Sequence, residues 1–208
     1  MPKTIPCSPF AACTARRRCP GLALLALAAC APQRPLEPAP RPPETTGDPT
    51  RRYPLDQVFL LEMAGVPPDD TTLTVARGAR RVIVLRHGPP DNLVFADLTL
   101  PPDAFDTAAA ADSIRLSVRP RPGVYGVDLD SGAPIRGASV TFEYPVHFAA
   151  PAEARQRYGS DAAFEAVLAV GELLPDGGIR FLISTRPTAD NLSAVLPGPG
   201  SYVVGAPR

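Results

Sequence analysis

ASVTFEYPVHF, Ala138 to Phe148, is the stretch from which the rest of the chain can be read. Val140, Phe142, Tyr144, Val146 and Phe148 recur at every second position, with Ser139, Thr141, Glu143 and His147 between them. A period of two puts successive side chains on opposite faces of an extended strand, one face toward a core and the other toward water. A helix would scatter the same residues around its circumference.

Working outward, RRVIVLRH (Arg80 to His87), NLVFADLTL (Asn92 to Leu100), SIRLSV (Ser113 to Val118) and GVYGVDL (Gly123 to Leu129) read as further strands. All are rich in β-branched or aromatic residues and most are bounded by turn formers. QVFLLEM near Gln57 and SYVVGA near the end add a first and a last strand. HGPPDN, LPPD, RPRPG, DLDSGAP and LPDGGI place proline and glycine where turns need them. Turns recurring every eight to twelve or so residues indicate a sandwich or barrel rather than a βαβ fold. PAEARQRYGSDAAFEAVLAVGELLPDGG departs from the pattern. It predicts one or two short helical turns from Ala152 to Glu165 and a β-hairpin from Val167 to Ser184, although apolar residues at Phe164, Val167 and Leu168 also suit a helix.

Ahead of the strands the texture differs. Ala31 to Pro54 holds eight prolines in 24 residues, with Leu36 the one aliphatic side chain larger than alanine or proline. Such a segment buries too little apolar area to offset the entropy of ordering it. Proline biases it toward an extended spacer of ~3.1 Å per residue. The expected fold is therefore mainly β, an antiparallel β-sandwich over residues 55–208 behind a disordered proline-rich tether at 30–54.

Arg16, Arg17 and Arg18 precede the short apolar run GLALLALAA, Gly21 to Ala29. That run is too short to cross ~30 Å of hydrocarbon, which takes about 20 helical residues, and reads as a secretory signal over residues 1–29. Leu27-Ala28-Ala29-Cys30 resembles the lipobox of bacterial lipoproteins. The resemblance implies cleavage before Cys30 and acylation of its thiol with palmitate-type chains, and two or three such chains anchor a protein stably. Ala31, rather than aspartate, after the cysteine points by the same resemblance to the outer membrane, or to the outer face of a single membrane. Ordinary cleavage near Ala26-Leu27-Ala28, releasing a free protein, is the alternative. The strand pattern resembles the immunoglobulin-like modules of envelope lipoproteins, without a cysteine or tryptophan pair to support it.

The net charge of zero hides an asymmetry. Lys3 and the three arginines lie before Cys30 with no acid, and removing those four leaves 17 basic against 21 acidic residues, about −4. A mildly acidic chain lacks the footprint that nucleic acid requires. Cys7, Cys13, Cys19 and Cys30 are the only cysteines, so the domain is expected to hold together without disulfide or thiolate metal, and no cofactor is implied.

For chemistry, His87 and His147 are the only histidines, and both are expected on exposed sheet surface. Glu143 and His147 would share a polar face, too few ligands for a metal. GAS at Gly137 and YGSD at Tyr158 do not match the G-x-S-x-G elbow of hydrolases. Asp128-Leu-Asp130-Ser-Gly132 opens like a calcium loop, lacks its later acids, and reads as a hairpin turn. Arg77, Arg80, Arg81 and Arg86 form a basic cluster expected to pair with carboxylates. STRPTADNLSAVLPGPG, Ser184 to Gly200, reads as a long polar loop, the sort of place where binding sits. The leading expectation is a lipid-anchored, non-catalytic envelope module that binds or scaffolds an envelope protein or glycan. The alternative is an envelope hydrolase with a non-local site. A pocket joining a histidine to a serine and a carboxylate would favour the enzyme, and a flat edge or aromatic patch the binder.

Overall fold

Strand alternation becomes two antiparallel sheets in the computed structural model, which describes residues 46–105, 112–145 and 150–208. The chain runs through β1 (Arg52–Pro54), a 3-10 turn (Leu55–Gln57), β2 (Val58–Leu60), β3 (Thr71–Ala76), β4 (Arg81–Arg86) and β5 (Val94–Leu100). It continues through β6 (Ser113–Pro120), β7 (Gly126–Ser131) and β8 (Ser139–Glu143) to two helices, α1 (Ala152–Tyr158) and α2 (Asp161–Val167). β9 (Ala169–Leu173), β10 (Gly178–Phe181), β11 (Ser184–Thr185), β12 (Asn191–Val195) and β13 (Gly200–Pro207) complete it.

One sheet has the order β1-β10-β9-β13-β7-β6-β3, with β2 also on β13, and the other the order β11-β12-β8-β5-β4. The long β13 is the spine of the first sheet. Its Ser201–Gly205 stretch pairs with β9, while its two halves pair in turn with β7 and β2 on the other side. Between the sheets lies one apolar core, to which Val140, Phe142, Leu98, Leu192, Leu116, Val127 and Tyr202 contribute from both layers. The result is the mainly β sandwich that the alternation predicts.

The helices close part of the same core. Phe164 of α2 meets Phe59 edge-on at 6.1 Å and Tyr158 of α1 at 5.7 Å, and Ala154 and Leu168 are buried beside them. Gly159 ends α1 in the left-handed region at φ 86°, and Ser160 caps α2 by accepting the Ala163 N–H at 3.1 Å. A smaller cluster of Val58, Ala169, Ile179, Phe181 and Val203 forms apart from the main core, and Tyr53 packs against it. Gly171 makes room there: a Cβ would stand 2.3 Å from Ile179 Cδ1 and would force that buried side chain to shift.

Three expectations are corrected. The segment at Ser184–Gly200 is not a polar loop, because β11 and β12 run through it and Leu192, Ala194 and Leu196 are buried. Asp128 to Ser131 belong to β7, not to a turn, and Asp128 is paired with Arg121 at 2.6 Å. The domain also begins before Leu55. β1 pairs with β10, and Thr46 bridges to Ser184, all within the stretch read as tether. Cys30 lies outside the described residues, as do Val146 to Phe148 at the end of the opening stretch. No helix among the described residues is long and apolar enough to cross a membrane.

Candidate ligand-binding site

At one end of the five-stranded sheet β4 and β8 finish while β5 and β12 begin, as antiparallel order requires. A cleft of about 250 Å³ opens there, lined by His87, Leu93, Val94, Tyr125, Glu143, Tyr144, Pro145 and Asp190. Strand ends fix most of these positions. Tyr125 comes from the opposite sheet, held by its N–H on Leu61 O at 2.9 Å and its carbonyl on the Val204 N–H at 2.8 Å.

The floor is aromatic. Tyr125 stacks on Phe95 at 5.3 Å and 14°, and His87 meets Phe95 edge-on at 5.4 Å and 88°. Tyr144 stands edge-on to Tyr125 at 6.5 Å. Its hydroxyl donates to Glu165 Oε1 at 3.2 Å and accepts from Arg186, which also donates to the Glu165 carbonyl at the end of α2. Arg186 thus satisfies helix-terminal carbonyls and holds the Tyr144 ring in place. Burial pushes the Tyr125 and Tyr144 phenols up to about 12, so both stay neutral.

The rim is acidic. Burial raises the Glu143 carboxyl above its ordinary range, with Asp97 and Asp190 adding to the rise and Arg86 opposing it. Asp97, one strand over on β5, is raised by burial too, eased by Thr99. Asp190 accepts the Thr188 hydroxyl at 2.8 Å, and its carbonyl accepts the Tyr144 N–H at 3.1 Å.

His87 corrects the expectation of an exposed histidine. It is 8% exposed, its N–H donates to Leu93 O at 2.9 Å, and its Nδ1 lies 3.1 Å from Val66 O. The same carbonyl accepts the Gly88 N–H at 3.1 Å, which clamps the segment around Val66 to the end of β4. A Cβ at Gly88 would be 2.6 Å from Val66 Cγ1, so a larger residue there would have to turn the Val66 side chain aside.

His147 lies outside the described residues. Glu143, expected on a solvated face with it, is instead half-buried at the cleft. Of the basic cluster, Arg81 and Arg86 are exposed at the two ends of β4. Arg86 donates to Asn92 O at 3.3 Å, and the Arg77 backbone N–H donates to Asp112 O at 3.1 Å. Ser160 of YGSD is a helix cap. Among the described residues no group of three or more histidine, cysteine or acidic side chains is placed to hold a metal ion.

Sequence reasoning missed Tyr125, Tyr144 and Asp190 as a set, since they come from three distant segments joined only by sheet order. The chain matches no protein-family model, no curated protein and no solved structure.

Proposed function

We propose that this chain is a lipid-anchored envelope protein, held through Cys30, whose sandwich binds a small group of an envelope ligand in the cleft between Tyr125, Glu143 and Asp190. For the anchor, support lies in the order of arginines, apolar run and Leu27-Ala28-Ala29-Cys30. For the binding role, the observation that carries it is the convergence of aromatic faces and carboxylates on four strand ends. Rigid strand termini hold groups in fixed geometry, which lowers the cost of binding.

The hydrolase reading retains one observation of its own, that His87 and Glu143 line a single cleft. No serine, threonine or cysteine stands with them among the described lining residues, and the proposal is therefore binding without turnover.

Expression of the full chain in a diderm bacterium with labelled palmitate tests the anchor. The wild type should take up label and sediment with membranes, and Cys30→Ala should do neither; an unlabelled wild type rejects the anchor. The same protein, offered chromogenic esters, peptides and glycosides, should turn none over. Turnover that disappears in His87→Gln at unchanged Tm would establish the hydrolase instead.

A further inference from the structure

Resting on that binding reading, we infer that the ligand presents a hydrogen-bond-donating cation, an amino or guanidino group, to the cleft at His87, Tyr125, Glu143 and Asp190. The hydrogen-bond inventory of the lining dictates the class. Val66 O can only accept, so the proton of a neutral His87 ring sits on Nδ1 and the lone pair on Nε2. Nε2 has no hydrogen-bond partner among the described residues and belongs to a residue that lines the cleft. Tyr125 is only 3% exposed, yet its hydroxyl also has no partner among the described residues. Neither atom is sealed from solvent, so both can accept from a group that enters the cleft. Glu143 and Asp190, when ionised, are acceptors only. The cleft therefore offers three groups that only accept, His87 Nε2, Glu143 and Asp190, and the Tyr125 hydroxyl, which can accept beside them.

Charge selects among donors. Glu143 feels Asp97 and Asp190 against Arg86 alone. Arg86 already donates to Asn92 O, and Arg186 is committed to Tyr144, Glu165 O and Leu168 O. An anion would add to the repulsion, and a neutral hydroxyl would leave it in place. A cation relieves it, and the Tyr125 and Tyr144 rings offer faces of the kind that attract one. A cleft of about 250 Å³ lies just below the usual size for whole drug-sized ligands, so it takes the head of a ligand and not its body.

Calorimetry and ligand-observed NMR on the full chain in nonionic detergent test this with four probes of similar size. These are n-butylammonium, tetramethylammonium, n-butanol and butyrate. Butylammonium should bind saturably and in preference to butanol and butyrate. Glu143→Gln should weaken it about tenfold, as loss of a charge-assisted hydrogen bond does, and Tyr125→Phe about threefold. Tetramethylammonium, which has no N–H, should be insensitive to Tyr125→Phe. Unchanged melting temperatures confirm that each variant is folded, and Asp190→Asn serves if Glu143→Gln is not. The inference is overturned if butylammonium fails to saturate, if butyrate or butanol binds as well, or if neither carboxylate variant weakens it. Saturable butanol without ammonium preference would sink the cation and spare the binding reading, whereas turnover lost in His87→Gln would sink the latter.

Discussion

At the scale of single residues, the raised carboxyls of Glu143 and Asp97 stabilise the fold least when they are ionised. Asp97 lies opposite Thr141 and Val84 on the flanking strands, and burial raises its folded-state pKa above the ordinary carboxylate range. The native state then holds a proton that the unfolded chain releases. Stability from that group is complete below the unfolded value and is lost as pH rises through the folded one. Asp97→Asn keeps the shape and removes the charge. It should raise Tm at pH 7 and leave it unchanged near pH 3, where both forms are neutral; equal gains at both pH values would refute the burial account. Glu143, which does line the cleft, is raised by burial in the same way, and a group that costs stability at working pH is what a binding site is expected to retain. His87 carries a parallel lesson about legibility. Its neighbour Arg86 suggests an exposed site, but in RRVIVLRH it shares parity with Ile83 and Leu85, both buried, while Val82, Val84 and Arg86 face outward. Apolar residues on both faces hid which face was the inner one.

At the scale of elements, alternation was legible wherever one face is strongly apolar, as in β6 and β8, while β13 is buried on both faces and was legible as a short apolar run; the helix–hairpin order from Ala152 to Ser184 follows from turn chemistry. β3 and β12 escaped, for a physical reason. Thr71–Ala76 forms an edge strand that is half threonine, and Asn191–Val195 hides the buried pair Leu192 and Ala194 among serine, aspartate and proline. Edge strands take polar composition to avoid pairing with other chains, so composition misreports β3, whereas β12, paired on both sides, was obscured by the polar residues around its buried pair. Ser160 shows the opposite case, a residue judged for catalysis that does local work. It accepts the Ala163 N–H, and the next residue, Asp161, receives the Ala150 N–H and Arg155 Nε, each at 3.0 Å, which hold its carboxyl below the usual range. Ser160→Ala should remove about 1 kcal/mol, a Tm fall of roughly 3 °C for a domain of this size. Ser160→Asp, which still caps, should restore it. A wild-type Tm in the alanine variant would mean that packing of Phe164, not the cap, holds α2.

At the scale of the molecule, the point at which the folded domain begins decides its stability. Drawn from proline content, it falls at Leu55, yet nine residues before that point join the fold. The Thr46 N–H donates to Ser184 O at 3.2 Å, its carbonyl accepts the Ser184 N–H at 2.9 Å, and its hydroxyl donates to Leu168 O at 2.5 Å. Gly47 follows at φ 101°, where a Cβ would lie 2.2 Å from Leu182 O, so the chain can pass only as glycine. β1 then lies along β10, and Tyr53 packs edge-on to Phe181 at 5.6 Å. Ser184 is a junction between the layers, since its hydroxyl accepts the Val170 N–H of the other sheet at 2.9 Å. A chain beginning at Leu55 loses the three Thr46 bonds and the pairing of β1. At about 1 kcal/mol for each bond it should be less stable than one beginning at Thr46 by on the order of 3 kcal/mol. That corresponds to a Tm lower by roughly 10 °C. Both chains should fold without reductant or metal and show mainly strand by circular dichroism. Equal melting temperatures would mean that residues 46–54 add nothing to the stability of the fold.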